Sequence, residues 1–250
     1  MINVLICGIN NEKAQCVYNL TNSNPNINVV CGIDNNPTML SNIDCTVYSA
    51  FDDVCEAVDM VIDFSAQKMI DEVLEFCINN KCALIECYVG YNAEQKQKIK
   101  EASKIIPIFM SQYFSLGVDL MFKLCATASN ALKGYDIEII EKYYSYKKDA
   151  PGAITIGLAE EINEIFGGER KIVIGRSSKR HGNEICIHCV RGGNVLGEHE
   201  ILFIGPREVI TIRHETLDKT LYAESAISIL EFMQDKTNGY YTMRDYFHNS

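Results

Sequence analysis

INVLICGINNEKAQCVYNL, residues 2–20, sets an uninterrupted apolar run against a turn and then a helical pattern. Val4 to Cys7 carry no polar break, which is how a strand covered on both faces reads. Gly8 closes the run, and a helix is expected from about Glu12 to Leu20. The same grammar recurs in INVVCGI (27–33), VDMVIDFS (58–65), CALIEC (82–87) and IIPIFMS (105–111), with helical stretches at 66–79 and 92–104. Apolar strands alternating with helices predict an α/β domain of Rossmann type around a parallel sheet. Such a sheet receives ligands at the carboxyl ends of its strands, where the strand order reverses.

Past residue 112 the pattern changes. A helix over 115–131 leads into DIEIIEKYYSY, a loop and a helix over 153–166. Strand-like runs follow at 184–190, 199–204 and 207–215, and a last helix spans 219–233. Few helices among mostly antiparallel strands predict an α+β domain with an open mixed sheet, covered on one face. The domains expected are 1–112 with 219–250, and 113–218 inserted between them.

A net charge of −10 and a pI near 5.0 argue against nucleic acid as a partner, because phosphate binding needs a basic face. No apolar run approaches a membrane span, and MINVLICGIN lacks the basic start of a signal peptide. A cytoplasmic chain is expected. The 11 cysteines sit singly within apolar runs and read as reduced small hydrophobes. In Cys186-Ile187-His188-Cys189, the first cysteine and the histidine face one side of a strand and Cys189 the other, so no metal site is expected.

VIDFS (61–65), LIECYVGYNAEQ (84–95), PIFMSQYFSLGVDL (107–120), DIEIIEKYYSYKKDAPGA (136–153) and RGGNVLGEHEILF (191–203) occur in an order that resembles the 4-hydroxy-tetrahydrodipicolinate (dihydrodipicolinate) reductase family. The resemblance runs nearly end to end. It implies a dinucleotide-binding first domain, a second domain for substrate binding and homotetramer formation, and a place in lysine and diaminopimelate biosynthesis. The reaction it implies is hydride transfer from NADH or NADPH to a cyclic unsaturated dicarboxylate.

The family's Gly-x-x-Gly-x-x-Gly turn falls on Gly8, Asn11 and Ala14, with Glu12 where the family has arginine. Gly8, Asn10 and Asn11 are thereby implied to hold the cofactor. The Asn11 side chain intrudes on the backbone approach, and Glu12 sets a negative charge near an anion. Asp34 either accepts the ribose hydroxyls or opens its own Asp-Asn-Asn turn. Asn35 after it offers no cation for a 2′-phosphate, so NADH is expected over NADPH. The family's Gly-Thr-Thr-Gly loop is Cys87-Tyr88-Val89-Gly90, and a further cofactor motif is Gln112-Tyr113-Phe114-Ser115. Their bulk either fills the nicotinamide pocket or stacks on a different ligand.

The family's histidine pair falls on Tyr143 and Tyr144, its lysine on Lys147, and its Ser-Gly-Thr on Gly152-Ala153-Ile154. Hydride addition to a conjugated imine leaves electron density that a proton must quench, and a donor with a pKa near neutral suits that step. Lys147 is expected to be that donor, with Tyr143 beside it. Tyr144, Lys148, Ala153 and Ile154 are expected to meet the substrate. His199 and His214 read as structural residues, and Arg191-Gly192-Gly193 as a turn toward the site or a tight hairpin. Two other functions fit the altered motifs: a binding or regulatory paralogue without hydride chemistry, and an NADH reductase of a less anionic substrate.

Overall fold

The computed structural model describes residues 1–21, 23–36, 43–88, 90–111, 113–218 and 220–249. The chain forms two compact units, residues 1–115 with 219–250, and residues 116–218. In the first, β1 (Ile2–Cys7), β2 (Ile27–Ile33), β3 (Thr46–Tyr48), β4 (Met60–Asp63), β5 (Ala83–Glu86), β6 (Pro107–Met110) and β12 (Gly239–Tyr241) make one sheet. Its order is β12-β6-β5-β4-β1-β2-β3, and every pairing is parallel. The order reverses between β1 and β4, which is the switch point of a doubly wound sheet.

The helices α1 (Glu12–Thr21), α2 (Ile70–Asn80), α3 (Ala93–Ala102), α6 (Leu221–Met233) and α7 (Met243–Asn249) belong to the same unit. Leu5, Val61, Leu84 and Ile108 from the sheet pack with Ile70, Val73 and Ile99 from α2 and α3, all buried. At the start of α3 the Asn92 side chain accepts the Gln95 N–H and the Gln95 side chain accepts the Asn92 N–H. This reciprocal cap satisfies two donors that would otherwise lack partners.

The second unit holds α4 (Leu116–Ala131), β7 (Asp136–Tyr143), α5 (Ala153–Ile165), β8 (Lys171–Ile174), β9 (Glu184–Arg191), β10 (Glu198–Ile204) and β11 (Val209–Glu215). Its sheet runs β11-β10-β7-β9-β8. The expectation of mostly antiparallel strands needs correction: β7–β9 and β8–β9 are parallel, β10 antiparallel to both its neighbours. The helix α5 between β7 and β9 carries the chain back to the edge where a parallel strand must start. Ile137, Ile139, Ile185, Ile187, Ile201 and Phe203 make a buried apolar face.

Three short strands escaped the sequence pattern. β3 and β12 are three residues each, too short to show alternation, and β8 is a four-residue edge strand with both ends exposed. Pro107 opens β6, where its missing N–H costs nothing, so Ile105 and Ile106 fall before the strand. Asn92→Ala should lower the urea-unfolding free energy by about 1 kcal/mol; an unchanged midpoint would show that the reciprocal cap adds nothing.

Candidate active site

The cleft of the first unit opens where β1, β2 and β4 end. Gly8, Asn11, Asp34, Asn35, Ser65 and Lys68 line a cavity of about 210 Å³. Gly8 has φ +71°, and a Cβ there would lie 2.8 Å from the Phe64 carbonyl carbon and from the Ser65 nitrogen. Only glycine fits, and the turn brings bare backbone to the cleft. Asn11 accepts the Lys13 N–H at 2.9 Å through its side chain. It caps α1 and takes up one of the donors that a helix N-terminus would offer an anion.

Asp34 does open its own turn, accepting the Asn36 N–H at 3.0 Å, and its second oxygen accepts the Asn10 N–H at 3.2 Å. It thus ties the turn after β1 to the turn after β2, with each oxygen keeping capacity for a further donor. Lys68, exposed on the cleft, is a cation that no motif indicated. The glycine cradle and the acid at the end of β2 fit a dinucleotide's pyrophosphate and ribose.

Cys87 and Tyr88 follow β5. Tyr88 is half buried against the core, edge-on to Tyr91 at 5.0 Å between ring centroids. Phe114 is buried with its ring against Phe64 at 5.8 Å, supporting a cleft-lining residue from behind. Its φ of +49° is strained for a bulky side chain. Tyr113 is half buried. Val89 and Gln112 lie outside the described residues.

A carboxyl pair that no motif indicated closes β4 and β5. Asp63 and Glu86 are register partners on β4 and β5, both fully buried. Asp63 accepts the Ser65 N–H at 2.7 Å and Glu86 the Tyr88 N–H at 2.8 Å. One oxygen of each is buried with no hydrogen-bond partner among the described residues. Burial pushes both carboxyls up, and the Asp63 charge pushes Glu86 further.

In the second unit, β7 carries the site. Cys189, Glu141, His199 and His214 form one rung across β9, β7, β10 and β11 at the end of the apolar face. The next rung sets Arg191 beside Tyr143. Glu141, fully buried, accepts the Gly152 N–H at 2.8 Å, the Thr155 hydroxyl at 2.5 Å and the Arg191 guanidinium. Burial pushes its pKa up, but the Thr155, Arg191 and Gly152 hydrogen bonds outweigh it and hold the carboxyl below its usual range. Gly152 stands at the N-cap of α5 without a side chain, and a strand carboxylate anchors this helix start by accepting the Gly152 N–H and the Thr155 hydroxyl. Arg191 also donates to the Asp149 carbonyl at 2.7 Å, which settles its turn as one that closes on this loop.

Lys147 pairs with Asp149 at 2.5 Å, and its ammonium lies 4.8 Å from the centre of the Tyr143 ring. The pair holds the Asp149 carboxyl below its usual range. The Tyr143 hydroxyl is 3.2 Å from His199 Nε2. Tyr144 is half buried and stacks toward Tyr146 at 4.4 Å, Lys148 and Ala153 are exposed, and Ile154 is half buried. The structure therefore gathers Tyr143 and Lys147 with Thr155, with Glu141, which lies in the same motif without an assigned role, and with His199, which the sequence reading took as structural. Glu141 could have been suspected as the polar residue on the apolar face of an alternating strand.

All 11 cysteines are free thiols. Glu138, Cys186 and His188 place ligand atoms within 4.8 Å of one another. The Glu138 carboxylate already accepts Arg176, Arg180 and His188, each at 2.6 Å. Two guanidinium groups on one carboxylate oppose a divalent cation, and the cluster reads as an ion-pair network.

A switch-point cleft with a glycine cradle, in a chain that also carries a strand-borne acid–base cluster, defines a nicotinamide-dinucleotide oxidoreductase. Residues 2–114 match the family description "Dihydrodipicolinate reductase, N-terminus" and residues 117–247 "Dihydrodipicolinate reductase, C-terminus". The chain belongs to the dihydrodipicolinate reductase family, NAD(P)-dependent oxidoreductases of lysine and diaminopimelate biosynthesis. It is 38% identical to the 4-hydroxy-tetrahydrodipicolinate reductase of Caldanaerobacter subterraneus subsp. tengcongensis over 98% of each chain. It is 35% identical to that of Clostridium perfringens (strain SM101 / Type A), again over 98% of each. A dipicolinate-bound dihydrodipicolinate reductase from Paenisporosarcina sp. TG-14 superposes with a TM-score of 0.82 at 21% identity, over 97% of each chain.

The Asp63–Glu86 pair yields a stability prediction. A carboxyl raised in the fold disfavours folding once pH exceeds its unfolded value, about 4. Glu86→Gln keeps the Tyr88 acceptor and offers Asp63 a donor. It should raise the melting temperature by about 2–4 °C at pH 8, with the gain vanishing below pH 4. A gain independent of pH would contradict the pair's titration.

Proposed function

We propose that this chain reduces 4-hydroxy-tetrahydrodipicolinate, with Tyr143 and Lys147 as its acid–base and charge-bearing groups. The observation that carries this reading is the Glu141 node: it anchors the start of α5 directly and, through Arg191 and Asp149, the loop that sets Lys147 beside the Tyr143 ring. A bound dinucleotide supplies the hydride. Gly8, Asn10, Asn11 and Asp34 would hold it, with Lys68 as the cation of the cleft and Cys87, Tyr88 and Tyr113 flanking. NADH is favoured, because Asp34 suits free ribose hydroxyls and would repel a 2′-phosphate.

The acidic substrate calls for cations and N–H donors. Lys147 and Lys148 provide charge, and the first-turn N–H groups of Ala153 and Ile154 lack intrahelical acceptors. Sequence alone favoured Lys147 as the proton donor. Its ion pair with Asp149 suits it better to holding a substrate carboxylate and steadying negative charge on Tyr143. Tyr143, backed by that cation, is then the donor. Tyr144 faces the substrate side of the loop.

Residues 116–218 are read as a homotetramer-forming unit. The face of its sheet opposite the buried one carries Ile140, Leu202 and Ile204, half buried, and exposed Val190 and Val209. These alternate with the Lys142–Glu198–Arg213 ion pairs. Light scattering at the mass of four chains is expected.

Fluorescence titration with NADH and NADPH, followed by turnover of the tetrahydrodipicolinate substrate, tests the reading. Saturable NADH binding with turnover is expected, as is competition by dipicolinate. Lys147→Ala should lower kcat/KM by about 10²-fold or more. Binding of neither nucleotide would favour a non-catalytic paralogue. Binding without turnover would favour a different substrate.

A further inference from the structure

His199 lies on β10, 1% exposed, in the same rung as Glu141 and His214. Its ring stands edge-on to Tyr143, 5.5 Å between centroids at 75°, with Nε2 at 3.2 Å from the hydroxyl oxygen. Gly197 makes this approach possible: a Cβ there would meet the Tyr143 ring at 2.9 Å. His199 Nδ1 is buried and has no hydrogen-bond partner among the described residues.

Those contacts decide the tautomer. Burial pushes His199 down to about 4, with His214 adding to the shift, so the ring is neutral at pH 7 and carries one N–H. With hydrogen on Nδ1, a buried donor would have no acceptor. With hydrogen on Nε2, the donor is met by the tyrosine oxygen and only a lone pair is left over. Orphaned buried N–H groups are rarer than under-used acceptors, so the second form wins.

We infer that His199 is the positioning residue for Tyr143, donating from Nε2 to the phenolic oxygen and turning the hydroxyl hydrogen away from itself. This rests on the reading of Tyr143 as proton donor. The hydride acceptor is the conjugated imine formed when the substrate's 4-hydroxyl and a neighbouring ring proton leave as water. In the proton step that follows hydride addition, the Tyr143 O–H bond breaks and its electron pair stays on oxygen. The proton forms a C–H bond with the substrate carbon that holds the electron pair left by hydride addition. The His199 N–H then stabilises the phenolate, and solvent restores the proton. Lys147 and Arg191 face the Tyr143 ring with positive charge, at 4.8 and 5.5 Å. Glu141, Glu198 and Asp149 are the nearby acids, held by Arg191, by Lys142 with Arg213, and by Lys147 respectively. His214 faces His199 from β11 and is itself pushed down by burial.

The tautomer is measured directly in the wild-type protein from imidazole ¹⁵N shifts. A protonated Nε2 and bare Nδ1 at pH 7 are expected; the opposite tautomer or an imidazolium would overturn the inference. With ¹³Cζ-labelled tyrosine, assigned through Tyr143→Phe, His199→Phe should make Tyr143 a weaker acid by about tenfold or more, since the lost donor favoured the charged form. Its kcat should fall by a similar factor, with the alkaline limb of the kcat profile moving up. His199→Gln, whose amide N–H can stand near the Nε2 position, should restore most of both. An unchanged Tyr143 titration, or no rescue by glutamine, in an active enzyme rejects His199 alone. Absence of turnover in the wild type rejects Tyr143 as donor.

Discussion

The second unit's chemistry depends on one buried carboxylate. Glu141 ends the apolar face of β7, where an unpaired charge would be prohibitive. It is tolerated because four groups from two separate stretches converge there: Gly152 and Thr155 from the start of α5, and Arg191 and the Cys189 thiol from β9. Through Arg191 the node also reaches the Asp149 carbonyl, and Asp149 in turn holds Lys147. Removing it would leave a mostly buried arginine uncompensated and the start of α5 without its anchor.

Two sets of buried acids in this chain illustrate opposite outcomes of the same desolvation. Glu141 is surrounded by donors and stays charged. Asp63 and Glu86 face each other across neighbouring parallel strands with a backbone donor and weak hydroxyl or thiol donors but no cation among the described residues, and burial raises both. The first arrangement fixes a loop with charge. The second places two carboxyls with raised pKa at the backbone turns of Ser65 and Tyr88.

Much of the fold was legible because it is local. The two-sided apolar strands, Gly8 and the change of grammar near residue 112 follow from spacing alone. Strands β3 and β12 were not, since three residues show no period. The candidate site divides the same way. Tyr143, Lys147 and the α5 start could be read from a contiguous motif. The Tyr143–His199 contact, the Asp63–Glu86 pair and Lys68 on the cleft arise from strand register and from turns distant in sequence, which no single stretch encodes. Asn11 is a case where the sequence named the residue and the structure supplied the reason for it, a helix cap in place of a glycine.

Backbone hydrogen exchange across residues 144–156, compared between wild type and Glu141→Ala, reads out what the buried carboxylate holds in place. Exchange at least tenfold faster in this segment is expected in the variant, Gly152 included, with the interiors of β9 and β10 unchanged. Equal exchange rates in the two proteins would show that the loop holds its shape without Glu141, and would overturn that role of the carboxylate.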